Sequence, residues 1–163
     1  VIWSLIILGI DPGSYNVGYG ILQVEKRKIV AAGCDTIVIK SKIQLAQRLT
    51  QIHSEIDKVI SEYKPDMAVI ETIFYGKNIK SAFTLGHARG VIMLALAQHN
   101  IEIAEYSPRE VKKSVVGNGN ASKEQVLYMV QKILNLSAKP KTEDAADALA
   151  IALCHFNKNK FNY

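Results

Sequence analysis

The spacing of apolar residues changes several times along the chain, and each change predicts a different element. Leu5–Asp11 (LIILGID) is almost continuously apolar and finishes on a carboxylate, which reads as a buried strand. Asn16–Val24 alternates, with Val17, Tyr19 and Ile21 on one side, and reads as a second strand; Gly18 and Gly20 within it signal a close backbone approach. Lys28–Ile39 is rich in β-branched residues, so three consecutive strands predict an antiparallel meander. From Leu45 to Tyr63 the stripe Leu45, Leu49, Ile52, Ile56, Val59, Ile60, Tyr63 has helical period and stops at Lys64-Pro65. Met67–Glu71 reads as a short buried strand, Ile79–His99 as a helix rich in Ala and Gly, and Ile101–Tyr106 as a fifth strand. Helix follows over Pro108–Val116, is interrupted at Gly117-Asn118-Gly119-Asn120, and resumes near Lys123, where Ser122 and Gln125 fit a capping box. A last helix is expected over Glu143–Phe156.

This order predicts an α/β fold: a five-stranded mixed sheet, antiparallel meander plus parallel strands joined by crossover helices. The length of 163 residues suits one domain spanning 1–163. A hydrophobic content of 48% is that of a soluble globular protein, and no apolar run approaches the ~20 residues of a membrane span. The N-terminal run lacks a basic flank and a small-residue cleavage site, so no signal peptide is expected. Cys34 and Cys154 form no CxxC pair and read as reduced thiols in a cytoplasmic protein. The net charge of +5 is modest, but its distribution is uneven. Residues 72–100 carry Lys77, Lys80 and Arg89 with no acid, and basic residues again exceed acids after Tyr106. That bias is compatible with a nucleic-acid face.

Acids interrupt the apolar pattern at Asp11, at Glu71 in MAVIET, and at Asp144 and Asp147 in EDAADALAIAL. Each has an ordinary explanation. Asp-Pro-Gly is a common turn, Glu71 can mark a strand end, and Glu143 and Asp144 favour a helix N-terminus. Asp147 is harder to dismiss, since it lies beyond the first turn among alanines and shares a helix face with Asp144. If the first and fourth strands are neighbours, Asp11 and Glu71 stand side by side at the sheet's end. Four converging carboxylates repel one another unless cations are bound. Oxygen-only ligands suit Mg²⁺ or Mn²⁺ and argue against zinc. Two such ions about 4 Å apart can clamp the attacking water and the leaving oxygen of a phosphodiester.

The blocks GIDPGSYNVGYG, VIETIFYGKN, SAFTLGHARGV, YSPREVKKSVVGNGNASKEQV and EDAADALAIALCH together resemble the bacterial RuvC-type Holliday junction resolvases, from Ile7 to about His155. The resemblance implies a ribonuclease-H-like fold, a homodimer, and paired Mg²⁺-dependent nicks in four-way DNA junctions during recombination and repair. It also implies a branch-migration helicase complex as partner. By the same resemblance Asp11, Glu71, Asp144 and Asp147 match the four catalytic metal-binding acids, with two Mg²⁺ expected and Mn²⁺ as a substitute. Some relatives have His at the position of Asp144, and the adjoining Glu143 stays an alternative ligand there. His155 is expected to be a helix-end residue.

Phe74 and Tyr75, followed by Lys77 and Asn78, suit stacking on an unpaired base beside a basic residue, although Phe74 as a core plug is the competing reading. The resemblance makes Phe74 a wedge at the junction crossover and sets Lys112 and Lys123 on DNA phosphates, with Lys113 beside them. The small-residue helix after Glu71 is a candidate contact between subunits. Three other readings stand against this one. They are an actin-like nucleotide-binding domain, a non-catalytic junction-binding relative, and a nuclease of the same superfold acting on RNA–DNA hybrids.

Overall fold

The computed structural model describes residues 4–73 and 78–160. Five strands form one sheet: β1 (Ser4–Asp11), β2 (Asn16–Glu25), β3 (Lys28–Val38), β4 (Met67–Glu71) and β5 (Glu102–Tyr106). Their order is β3-β2-β1-β4-β5. The first three pair antiparallel, and β4 joins β1 and β5 in parallel. Two residues turn β2 into β3, Lys26 and Arg27, both with positive φ (47° and 64°), as the twist of a tight hairpin requires. The helices are α1 (Leu45–Tyr63), α2 (Ile79–Gln98), α3 (Pro108–Val116), α4 (Lys123–Ile133) and α5 (Glu143–Asn159).

Strand alternation sends neighbouring apolar residues to opposite sides of the sheet and so divides the core in two. Leu8, Ile10, Val17, Ile21, Ala68 and Ile70 pack against α1 and α2. Ile7, Leu22, Val24, Met67 and Val69 pack against α3, α4 and above all α5. The α1 stripe lands as expected, with Ile52, Ile56, Val59 and Ile60 buried and the helix closed by left-handed Lys64.

The α5 side is built differently. A Cβ added at Gly9 would stand 2.2 Å from the Ala148 carbonyl oxygen, one at Gly18 2.0 Å from that of Asp144, and one at Gly20 2.7 Å from the Leu149 nitrogen. The close approach expected at Gly18 and Gly20 is therefore the backbone of α5 itself, which at these glycines and Gly9 meets β1 and β2 with no side chain between. Alanines at 145, 146, 148, 150 and 152, all buried, make the helix thin enough for this.

Element ends differ from expectation by a few residues, most at α5, which continues past Phe156 to Asn159. Tertiary contacts hold that polar extension: Lys158 pairs with Glu110 at 2.7 Å and lies over the Tyr106 ring, while within the helix Asn159 Nδ2 donates to the His155 carbonyl. His155 is consequently not at the helix end. It is 7% exposed and 3.0 Å from the Tyr106 hydroxyl, with burial lowering its pKa. Cys154 is buried and Cys34 half-buried, both as free thiols. Among the described residues no helix is long and apolar enough to cross a membrane.

Candidate active site

β1 and β4 run in register, Ile7 beside Met67 through Ile10 beside Ile70. One further step sets Asp11 beside Glu71, and Glu71 in turn pairs with Tyr106 of β5. Counting by twos from Ile7 and Val69, both acids face the α5 side. Gly18 is the β2 partner of Asp11, and its missing side chain lets the first turn of α5 settle over that pair. The helix start is fixed by Thr142, whose hydroxyl accepts from the Ala145 N–H and lies 2.5 Å from the Thr36 hydroxyl of β3.

The carboxylates sense one another. Burial first, then the charges of Asp147, Glu71 and Asp144, push the Asp11 carboxyl up to about 8. Glu71 is pushed up to about 7 by burial and then by Asp147, with Lys123 and Lys112 opposing. Burial also raises Asp147, against the pull of Lys123. A cavity of about 280 Å³ is lined by Asp11, Glu71, Asp147, Lys112 and Lys123, between the sheet end, α3, α4 and α5. No histidine or cysteine lines it.

Among the described residues no group of three or more His, Cys, Asp or Glu side chains stands gathered around one ion position. Lys123 lies among the acids instead, its Nζ 3.3 Å from Asp147 Oδ2 and 3.6 Å from Glu143 Oε2. The donor set still fits a hard divalent cation: all oxygen, partly buried, and carrying charge that its surroundings disfavour.

The other sequence candidates separate. Lys112 and Lys123 reach the cavity, whereas Lys113 is exposed one position round α3 and does not line it. Asn78 caps α2, its side-chain oxygen accepting from the Ser81 N–H at 3.1 Å. Phe74, Tyr75 and Lys77 lie outside the described residues. Glu143 is 82% exposed at its side chain, whereas the neighbouring Asp144 is half-buried and acts on Asp11.

Sequence reasoning gave no role to Arg89. From α2 its Nε donates to the Glu71 carbonyl at 3.2 Å, and its guanidinium pairs with Glu105 of β5, so it pins the strand end that carries the site's glutamate. The available signal was of the same kind as at Asp147: a charged residue in a helix of small and apolar ones.

A mixed sheet in the order 3-2-1-4-5, with acids at the ends of its two central parallel strands and more on the helix laid across them, is the ribonuclease-H-like architecture. The family model described as "Crossover junction endodeoxyribonuclease RuvC" matches residues 7–155. The chain belongs to the RuvC family. It is similar to the crossover junction endodeoxyribonuclease RuvC of Alkaliphilus oremlandii, 46% identical over 157 residues, covering 96% of each chain. The Francisella tularensis subsp. novicida enzyme of the same name is 49% identical over 158 residues, covering 96% of this chain and 90% of that one. Among solved structures, Thermus thermophilus RuvC in complex with a Holliday junction substrate superposes with a TM-score of 0.89 at 29% identity, covering 97% of this chain and 96% of that one. The yeast mitochondrial Holliday junction resolvase shares the fold, with a TM-score of 0.67 at 15% identity, covering 96% of this chain and 80% of that one.

Proposed function

We propose that this chain resolves four-way DNA junctions by paired, metal-dependent hydrolysis of phosphodiester bonds, in recombination and repair. The observation that carries the reading is the alignment of Asp11 and Glu71 at adjacent strand ends, inside a chain matched almost throughout by the RuvC family. That match leaves the actin-like reading without support.

Asp11, Glu71, Asp144 and Asp147 are the residues that would hold divalent cations, two Mg²⁺ with Mn²⁺ as a substitute. The exposure of Glu143 favours Asp144 as the ligand at the start of α5. Cations held by these acids would supply Lewis acidity, for activating water and offsetting charge on the leaving 3′ oxygen. The chain's own residues position and select. Arg89 holds the Glu71 strand end, and Thr142 holds the start of α5. Lys112 and Lys123 place a phosphate at the cavity mouth, with Lys113 contacting backbone further along. Such contacts give affinity and salt dependence, while junction shape gives selectivity. Phe74 and Tyr75 stack on bases splayed at the crossover, and Lys77 and Asn78 accompany them.

A twofold dimer presents two sites to the two equivalent strands of a junction. An outward α2 stripe supports this arrangement, with Ile79, Phe83 and Leu94 exposed by 71%, 66% and 52% and open space over Gly90. We place the protein in the cytoplasm as a single nuclease domain, working with a branch-migration helicase complex.

Incubation with synthetic four-way junctions and matched linear duplexes, with and without Mg²⁺, tests the function. Paired nicks in the junction alone, only with metal, are expected. Equal cutting of duplex, or cutting in EDTA, contradicts the reading.

A further inference from the structure

Lys123 makes a contact that a role on a DNA phosphate does not explain. It is the first residue of α4, and its side chain is 64% exposed. Free solvent is open to it, and ordering a lysine costs rotamer freedom. Yet Nζ turns towards α5, to 3.3 Å from Asp147 Oδ2 and 3.6 Å from Glu143 Oε2. Lys123 and Asp147 also line both the 280 Å³ acid cavity and a neighbouring cavity of about 210 Å³ that includes Lys139, Lys141 and Thr142. The ion pair is thus the partition between the acid site and a second, lysine-bearing groove.

We propose that Lys123 is the site's internal counter-ion, with which a divalent cation competes for Asp147. The inference rests on reading the acids as the metal site. An ammonium and a divalent cation repel one another on the same carboxylate, so the two compete for Asp147. While Lys123 is seated it lowers metal affinity; once displaced it is free for a phosphate of the DNA strand. Metal and DNA then favour each other's binding, because whatever one gains from a released Lys123 the other gains equally. Lys123 is on this account a positioning residue whose first partner is a carboxylate and whose second is a phosphate.

The test is Mn²⁺ titration of the DNA-free full chain by calorimetry, with thermal melts to verify folding. Lys123→Gln should bind Mn²⁺ roughly three- to tenfold more tightly than wild type, the range that giving up partly exposed ion pairs represents in affinity. Lys123→Arg keeps the charge and should stay within about twofold of wild type by the same reasoning. Equal or weaker binding by Lys123→Gln overturns the inference and leaves the metal site standing. Arginine and glutamine variants that tighten alike also overturn it, since charge would not be the cause. No Mn²⁺ binding by wild type or Lys123→Gln removes the metal-site reading, and the inference with it.

Discussion

The two faces of the sheet solve different problems. Against α1 and α2 the sheet presents Leu8, Ile10, Ile21 and Ile70, and the helices answer with Ile52, Ile56, Ile92 and Leu96. That is a side-chain jigsaw, in which position is averaged over many contacts and slight repacking is tolerated. Against α5 it presents side chains as well, Ile7, Leu22 and Val24, but at Gly9, Gly18 and Gly20 the helix answers with its own backbone. Backbone resting on backbone leaves little freedom to slide. Asp144 and Asp147 ride on the helix that these contacts seat. Both faces bury an apolar core; the α5 face adds backbone contacts that set distances.

Substitutions that separate these roles sharpen the contrast. The largest effect is expected where the acids themselves change. Asp11→Asn or Glu71→Gln should lower single-turnover cleavage of a four-way junction by at least roughly 10²–10³-fold, the range lost with a key electrostatic stabiliser. Junction binding in a gel-shift assay should persist. A variant of this pair that cuts within tenfold of wild type would remove that acid from the site.

Gly9→Ala and Ile56→Ala then test the two faces against each other. The new Cβ at Gly9 meets the Ala148 carbonyl oxygen at 2.2 Å, so α5 must lift. A loss of about 3 kcal/mol is expected in urea melts, together with slower cleavage per folded molecule because the acids move with the helix. Ile56→Ala should cost a comparable ~2–5 kcal/mol and leave cleavage per folded molecule unchanged. Equal kinetic damage from both would erase the distinction.

Arg89→Gln should cut the cleavage rate by roughly tenfold through looser placement of Glu71, measured beside a thermal melt. Smallest is Thr142→Ala, which removes a helix cap and should cost about 1 kcal/mol, read by chemical denaturation.

Much of this arrangement was legible in the residues, for physical reasons. Asp11, Glu71 and Asp147 stood out because burying a charge in an apolar pattern demands an explanation. Gly18 and Gly20 announced a close approach, although only the fold shows that its partner is α5. The Ser122–Gln125 capping box was local and held. What escaped depends on distant parts of the chain. Arg89 reaches across to the β4 carbonyl, the polar end of α5 is kept helical by Glu110 and Tyr106, and His155 is buried by the same packing. The capping of α2 by the Asn78 side chain also went unread. Lys112 and Lys113 are indistinguishable by composition; their rotation about α3 sends only the first to the acids.

The central claim is that the α5 face gathers carboxylates at a cost relieved by divalent cations, and melting temperature against pH tests it most directly. Asp11 and Glu71 hold their protons to about 8 and about 7 in the folded, metal-free chain, whereas in the unfolded chain both ionise near 4. Between those limits the unfolded state has released protons that the folded state retains. Stability contributed by these groups therefore falls as pH rises from about 4 to about 8, and levels off above. In EDTA the melting temperature should decline across that window. Adding Mg²⁺ should raise it strongly at pH 8 and hardly at pH 5, and Asp11→Asn should blunt both effects. A Mg²⁺ shift that is absent, or equally large at pH 5 and in Asp11→Asn, would contradict the account.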